Sequence, residues 1–392
     1  MDTLLTGAKG ETSMFKPIVV SLLCWLSFVS NPLWAMETVR VAVMEGIHHV
    51  TIRSPNPFYL KTTSPESMAQ PAMIKVDMVY QTGGEITING RKSHVHEWVF
   101  LPVQAEEGGE NGFVVNGQPY PGILRVKQKE KGLLIINEVA LERYLAGVVP
   151  SEMSPKWNKE ALKVQAIISR TYALYQKMKN SDKDYDLWGS VLGQVYTGDA
   201  GNDPAVDQAI RETAGIVLTY QGRPALTFFH STSAGRTEDA AELWGIDLPY
   251  LKGVNCPFDR DSPYYRWTRS LPLQNLEQAL RDNRSVNDPI TGILPGDRSR
   301  AGRLLTVLMM HKGGKTIVKA NDLRKAIGFR TLPSTNFSID AFGPTLQISG
   351  QGYGHGVGLC QWGAKVLAER GYKADAIMHY YYPGLVLQGG MS

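Results

Sequence analysis

One carboxylate stands out as a candidate for proton transfer. Glu152 lies in VALERYLAGVVPSEMSPKW (139–157), between a short apolar helix and a longer amphipathic one, with Pro150 and Pro155 on either side. A carboxylate in an apolar, proline-restricted turn has its charge disfavoured. That raises its pKa toward the range useful for general acid and base work. The same acid could instead sit at a helix N-terminus and only complement the helix dipole. The residues that follow, NKEALKVQAIISRTYALYQKMK (158–179), predict a helix capped by Asn158, with an apolar stripe of Ala161, Val164, Ile168, Tyr172 and Tyr175. Arg170 falls inside its apolar stretch. A buried guanidinium needs a partner, so Arg170 must meet a carboxylate or line a wet cleft.

Two further clusters carry polar groups on glycine-rich or serine-rich chain. In TFFHSTSAGRTEDAAELWG (227–245) an apolar, strand-like run ends at His230 and opens into a small polar loop, an edge that could present His230, Ser231 and Ser233 to a ligand. The alternative is an ordinary Ser/Thr turn. In PYLKGVNCPFD (249–259), Tyr250 and Lys252 stand at period two and would share one strand face, an aromatic surface and a cation together. In QISGQGYGHGVGLCQWGAKVLAERGYKADAIMHYYYPG (347–384) five glycines surround His355, and a helix is predicted from about Leu359. Glycine lets backbone approach a ligand closely and leaves His355 uncovered. Gln361 could face the same space. No GxxxxGK[ST] pattern occurs, so a phosphate-binding loop is not indicated.

Taken together, VVPSEM, QAIISRTYAL, FHSTSAGRTED, PYLKGV, GYGHGVGLCQWGA and HYYYPG resemble the SpoIID/LytB family, in the family's order, over 138–385. The resemblance implies lytic transglycosylase action on the glycan strands of peptidoglycan, with Glu152 as the catalytic acid and with Tyr250 and Lys252 in the cleft. One branch of that family carries a Cys/His zinc site. Here the loop after His230 has no cysteine and Cys256 stands alone in sequence, so neither a metal nor another cofactor is expected. Ordinary glycoside hydrolysis uses two carboxylates, and no second acid lies near Glu152 in sequence in a reactive setting. A single acid suffices when the sugar's own C6 hydroxyl is the nucleophile. Arg170, Lys252 and His355 would then position the strand, for instance through lactyl carboxylates. Two other readings remain: a non-catalytic wall-binding enhancer of a separate amidase, and a Cys–His hydrolase using Cys360 with His355 or His230.

The rest of the chain must hold these clusters. Its 392 residues, 43% hydrophobic and 20% charged, suffice for a sizeable core. A net charge of +4 without basic runs makes nucleic acid an unexpected partner. Lys16, an apolar run from Ile18 to Val29, and Leu33-Trp34-Ala35 predict a signal peptide over 14–35 and export to the periplasm or cell envelope. Cys256 and Cys360 then remain, as a disulfide or as two buried thiols. The expected organisation is α+β, a mixed sheet and helices forming a cleft. A β-rich region over 36–135 carries strands in VRVAVM, IKVDMVY, GILRVKQ and LLIINEV, and a loop over 54–71. A catalytic domain over 136–385 follows, with an excursion at about 269–345 made of a helix (LPLQNLEQALRDN), a strand (RLLTVLMMH) and a short helix (NDLRKAI).

Overall fold

The computed structural model describes residues 37–389 apart from 63–72, 82, 104–111, 191–192, 199–202 and 284. The expected signal segment, 14–35, lies outside the described residues. Among those described, no helix is long and apolar enough to cross a membrane.

The four expected strand runs form strands Thr38–Ile47, Met73–Tyr80, Ile123–Lys129 and Gly132–Ala140. Thr38–Ile47 pairs antiparallel with Gly132–Ala140, which pairs in turn with Ile123–Lys129. The large sheet continues through Glu97–Pro102 to His49–Thr62 and Met73–Tyr80. At its other edge Leu187–Trp188 joins Thr38–Ile47 in parallel, which makes the sheet mixed. The expected loop over 54–71 is a strand as far as Thr62, and 63–72 lie outside the described residues. The register against Met73–Tyr80 breaks between Arg53 and Phe58, and pairing with Glu97–Pro102 begins at Phe58. Pro55 and Pro57, which cannot donate to a ladder, fall in that irregularity.

One face of the sheet carries helices α1 (Leu141–Glu152) and α2 (Lys159–Lys179). Val39, Val41, Leu133 and Ile135 from the strands share one continuous core with Leu145, Val148, Val164 and Ile168 from the helices. Asn158 caps α2 as its position predicts, its side chain accepting from the Glu160 amide at 2.9 Å. Helices α3 (Pro204–Glu212) and α4 (Ala240–Trp244) follow.

Residues 267–350 have a core of their own, built around Trp267, Leu276, Val307, Met309, Phe337 and Ile348. It comprises two three-stranded antiparallel sheets and helices α5 (Leu273–Asp282) and α6 (Ala320–Ile327). The chain then returns to the main core through α7 (Gln361–Glu369) and α8 (Ala374–Tyr381).

Candidate active site around Glu152

Glu152 is the last residue of α1, and Pro150 lies inside that helix instead of in a turn before it. Gly147, one turn earlier, lets the segment around Tyr196 to Gly198 press against the helix: a Cβ there would sit 2.2 Å from the Gly198 carbonyl oxygen. This approach sets the Val195 amide, which donates to Glu152 Oε1 at 2.9 Å. Burial raises the Glu152 pKa, while the Val195 amide and the Gln361 side chain act in the opposite direction by hydrogen bonding to the carboxylate. Among the described residues, no carboxylate figures in the groups that act on Glu152.

Gln361 reaches Glu152 because two distant segments pair. Phe229–His230 and Leu359–Cys360 form a short parallel ladder, His230 opposite Cys360, and α7 starts at Gln361 directly after it. Gln361 Nε2 also donates to Gln165 Oε1 at 3.3 Å, and Gln165 Nε2 donates to Ser169 Oγ at 2.9 Å. An amide chain from α2 through α7 thus aims Gln361 at the carboxyl group. The Ser231 carbonyl accepts from the Trp362 amide at 3.1 Å, which joins the serine loop to the start of α7. Trp157 and Trp362 stack edge to face, 5.3 Å between centroids.

His230 and His355 come together, ring centroids 5.8 Å apart, with Trp244 at 5.0 Å from His355. His355 Nδ1 accepts from the Val357 amide at 3.1 Å, and the ring donates to the Phe229 backbone carbonyl. Burial first, then Arg324 and Arg303, lower its pKa to about 3. His230 is pushed well below the ordinary histidine value as well, mainly by burial. Both rings are neutral at pH 7, so His355 offers a lactyl carboxylate no positive charge.

Three other expected site residues have partners of their own. Arg170 is buried in an ion pair: its Nε and Nη2 donate to Glu142 at 2.7 and 2.6 Å and its Nη1 to the Ile216 carbonyl at 3.1 Å. Tyr250 and Lys252 do not share a strand face, because Pro249–Leu251 is one turn of 3₁₀-helix started by proline. Tyr250 is 3% exposed and its hydroxyl accepts from the Leu226 amide. Lys252 is exposed and paired with Asp247 at 2.7 Å and Asp239 at 3.3 Å.

Cys256 is not alone in space. It and Cys360 are free and buried, and their sulfurs lie with an Asp259 oxygen within 4.8 Å of one another. Cys256 Sγ meets the Tyr381 hydroxyl at 3.1 Å, and Cys360 Sγ accepts from the Gly363 amide at 3.4 Å. The three donors include no histidine nitrogen, so they are not the Cys/His set. Asp259 instead fixes the serine loop, accepting from Ser233 Oγ at 2.9 Å and the Ala234 amide at 2.7 Å. Burial foremost, then Cys256 and Asp259, push the Cys360 thiol up, so it is no thiolate at pH 7 and a poor nucleophile.

Val195, Gln165, Trp157 and Trp362 were not predicted for this site. Gln165 had a signal, a polar residue within an apolar helix stretch; Val195 acts through its backbone and had none.

A stage II sporulation protein family profile matches residues 129–220, which contain Glu152, and a domain of unknown function (DUF8618) matches 250–358. Stage II sporulation protein D of Bacillus subtilis is 34% identical over 267 residues, 64% of this chain and 74% of the relative. The chain belongs to the stage II sporulation protein D family. An uncharacterized protein of Brachyspira hyodysenteriae is 33% identical over 70% of this chain and 74% of its own length. The amidase enhancer of Bacillus subtilis is 27% identical over 62% of this chain and 40% of the relative.

Proposed function

We propose that this family member acts on the cell wall after export, as a lytic transglycosylase of peptidoglycan glycan strands with Glu152 as the single acid and base. The observation that supports this reading is a half-buried carboxyl group whose proton is favoured by desolvation, held in place by the Val195 amide and Gln361, with no second carboxylate among the described residues acting on it. Protonated Glu152 donates to the glycosidic oxygen as the bond from C1 of N-acetylmuramic acid breaks. The C6 hydroxyl oxygen of the same sugar attacks C1, and its proton goes to the Glu152 carboxylate. The products are a 1,6-anhydro sugar and a free 4-hydroxyl, with no water consumed and Glu152 restored. Trp157 and Trp362 offer aromatic surface on which sugar rings stack.

The test compares the protein with Glu152→Gln on glycan strands with and without stem peptides, products being weighed by mass spectrometry. Anhydro-ended fragments from the parent and none from a variant that still binds are expected. Fragments carrying added water would overturn the single-acid mechanism. A second reading, a non-catalytic enhancer of a cell-wall amidase, draws on the likeness to the amidase enhancer. Strand binding without cleavage on either substrate, with stimulation of an amidase, would favour it. Export is tested separately: N-terminal sequencing of envelope protein should begin near Met36, and retention of 18–29 would refute it.

A further inference from the structure

Residues 267–350 have their own core, and nothing in the Glu152 chemistry requires them. They nevertheless reach the glycine turn that carries His355 through Arg303. Arg303 is 1% exposed; its Nη1 donates to the Gly354 carbonyl at 3.1 Å and its Nη2 to the Ser233 carbonyl at 3.5 Å. Its Nε lies 3.7 Å from Glu238, which is equally buried. Glu238 is held in turn: Ser299 Oγ donates to its Oε1 at 2.7 Å, and its own amide donates to the Gly356 carbonyl at 2.8 Å. One guanidinium therefore joins the serine loop, the 299–303 turn and the glycine turn that carries His355. Gly356 has φ of +90°, and a Cβ there would lie 2.6 Å from Arg303 Nε. The glycine is what admits the arginine. A second arginine of the module supports the same turn at one remove. Arg324 donates to the Leu332 and Pro333 carbonyls, and the Pro333 carbonyl also accepts from the Gly354 amide at 2.9 Å.

We infer that Arg303 is a positioning residue for His355, and that the 267–350 module is part of the glycan-binding site because it supplies this clamp. A buried ion pair is a poor way to add stability, since well-packed apolar residues do as well or better. Its forked donors fix geometry instead. Here one donor fixes Gly354 before His355, while Glu238, beside the guanidinium, holds Gly356 after it through its own amide, and the ring lies against Trp244 and Phe228. The charged and titratable groups facing His355 are Arg303, Arg324 and His230. Removing Arg303 takes away one of the two cations that, after burial, lower the His355 pKa. The ligand in this inference rests on the proposed function; the effect on His355 does not.

The experiment uses the full chain and two variants. Arg303→Met combined with Glu238→Gln removes both buried charges, and Arg303→Lys keeps the charge but loses the fork. Imidazole ¹⁵N shifts of His355 are followed from about pH 4 to 8, with binding to purified glycan strands and thermal unfolding measured alongside. In the folded double variant the His355 titration moves up toward the ordinary histidine range, and strand binding weakens about tenfold, as expected for losing a charged hydrogen-bond clamp. In Arg303→Lys the ring stays neutral, its ¹⁵N shifts move with the loosened turn, and binding weakens about threefold. A folded double variant with the parent's His355 titration and strand affinity overturns the inference. Should the double variant not fold, parent-like ¹⁵N shifts and affinity in Arg303→Lys overturn it. A parent that binds no glycan refutes the proposed function, and the His355 comparison then decides the positioning role by itself.

Discussion

The Glu142–Arg170 pair gives the sharpest stability prediction. Glu142 lies in the first turn of α1, whose other end is Glu152, and Arg170 lies in the buried part of α2. Replacing Glu142 by Leu leaves the guanidinium with one protein acceptor, the Ile216 carbonyl at 3.1 Å. Stranding one member of a buried pair costs about 3–5 kcal/mol. The Glu142 side chain is 24% exposed while Arg170 is fully buried, so water reaches the acid's side and the lower end, about 3 kcal/mol, applies. At about 2–4 °C per kcal/mol, the Tm falls by about 6–12 °C. Arg170→Met combined with Glu142→Leu leaves no charge stranded and should return to within about 1 kcal/mol of the parent. A double-mutant cycle by thermal and urea unfolding measures the coupling, about 2 kcal/mol or more. Single variants within about 2 °C of the parent, or a double variant no better than the sum of the singles, would refute the reasoning. Because Arg170 has no exposed surface, the folded double variant should bind glycan strands as the parent does. Loss of binding in that variant alone would return Arg170 to the substrate groove.

Glu152 should also leave a mark on stability. Its folded pKa is above the unfolded value of 4.5, so the folded state holds a proton that the unfolded state releases. Stability therefore falls as pH rises from about 4.5 through the folded pKa, and Glu152→Gln should raise Tm at pH 7 while changing it little at about pH 4. Equal shifts at the two pH values would contradict this. Gly147→Ala should cost about 1–3 kcal/mol and lower glycan cleavage, because the added methyl displaces the segment that aims the Val195 amide; unchanged unfolding and cleavage would show that the contact relaxes freely. Lys252→Ala, at an exposed pair of carboxylates, should leave Tm within about 1 °C by calorimetry, and a larger fall would mean that the lysine braces the start of α4.

The local elements were legible because their signals are local. Alternation over 39–44 and 74–80 and the apolar-rich runs over 122–128 and 133–139 report strands, and Asn158 followed by an apolar stripe reports α2. Even within the excursion, the run at 271–283 becomes α5 and the run at 303–311 becomes the strand Thr306–His311. The prolines of 54–57 misled for a physical reason: they forbid regular pairing, yet a strand that changes partners accommodates them at the irregularity. Tyr250 and Lys252 misled because period two presumes an extended chain, and Pro249 starts a turn instead.

For the site, residue type and motif order singled out Glu152, Gln361, His230 and His355 as the groups to watch. Their roles depended on contacts across the fold. The Glu152 carboxyl is shifted by burial and by Val195 and Gln361, 43 and 209 residues away in sequence. Arg170 could have lined a wet cleft until Glu142 was found beside it, and Cys256 was solitary until the chain returned at Cys360. The neutral state of His355 follows from burial and from two arginines of another core, which no local pattern reports. Periodicity and capping act over a few residues and can be read along the chain. Desolvation and charge act through space, and only the packed chain brings their sources together.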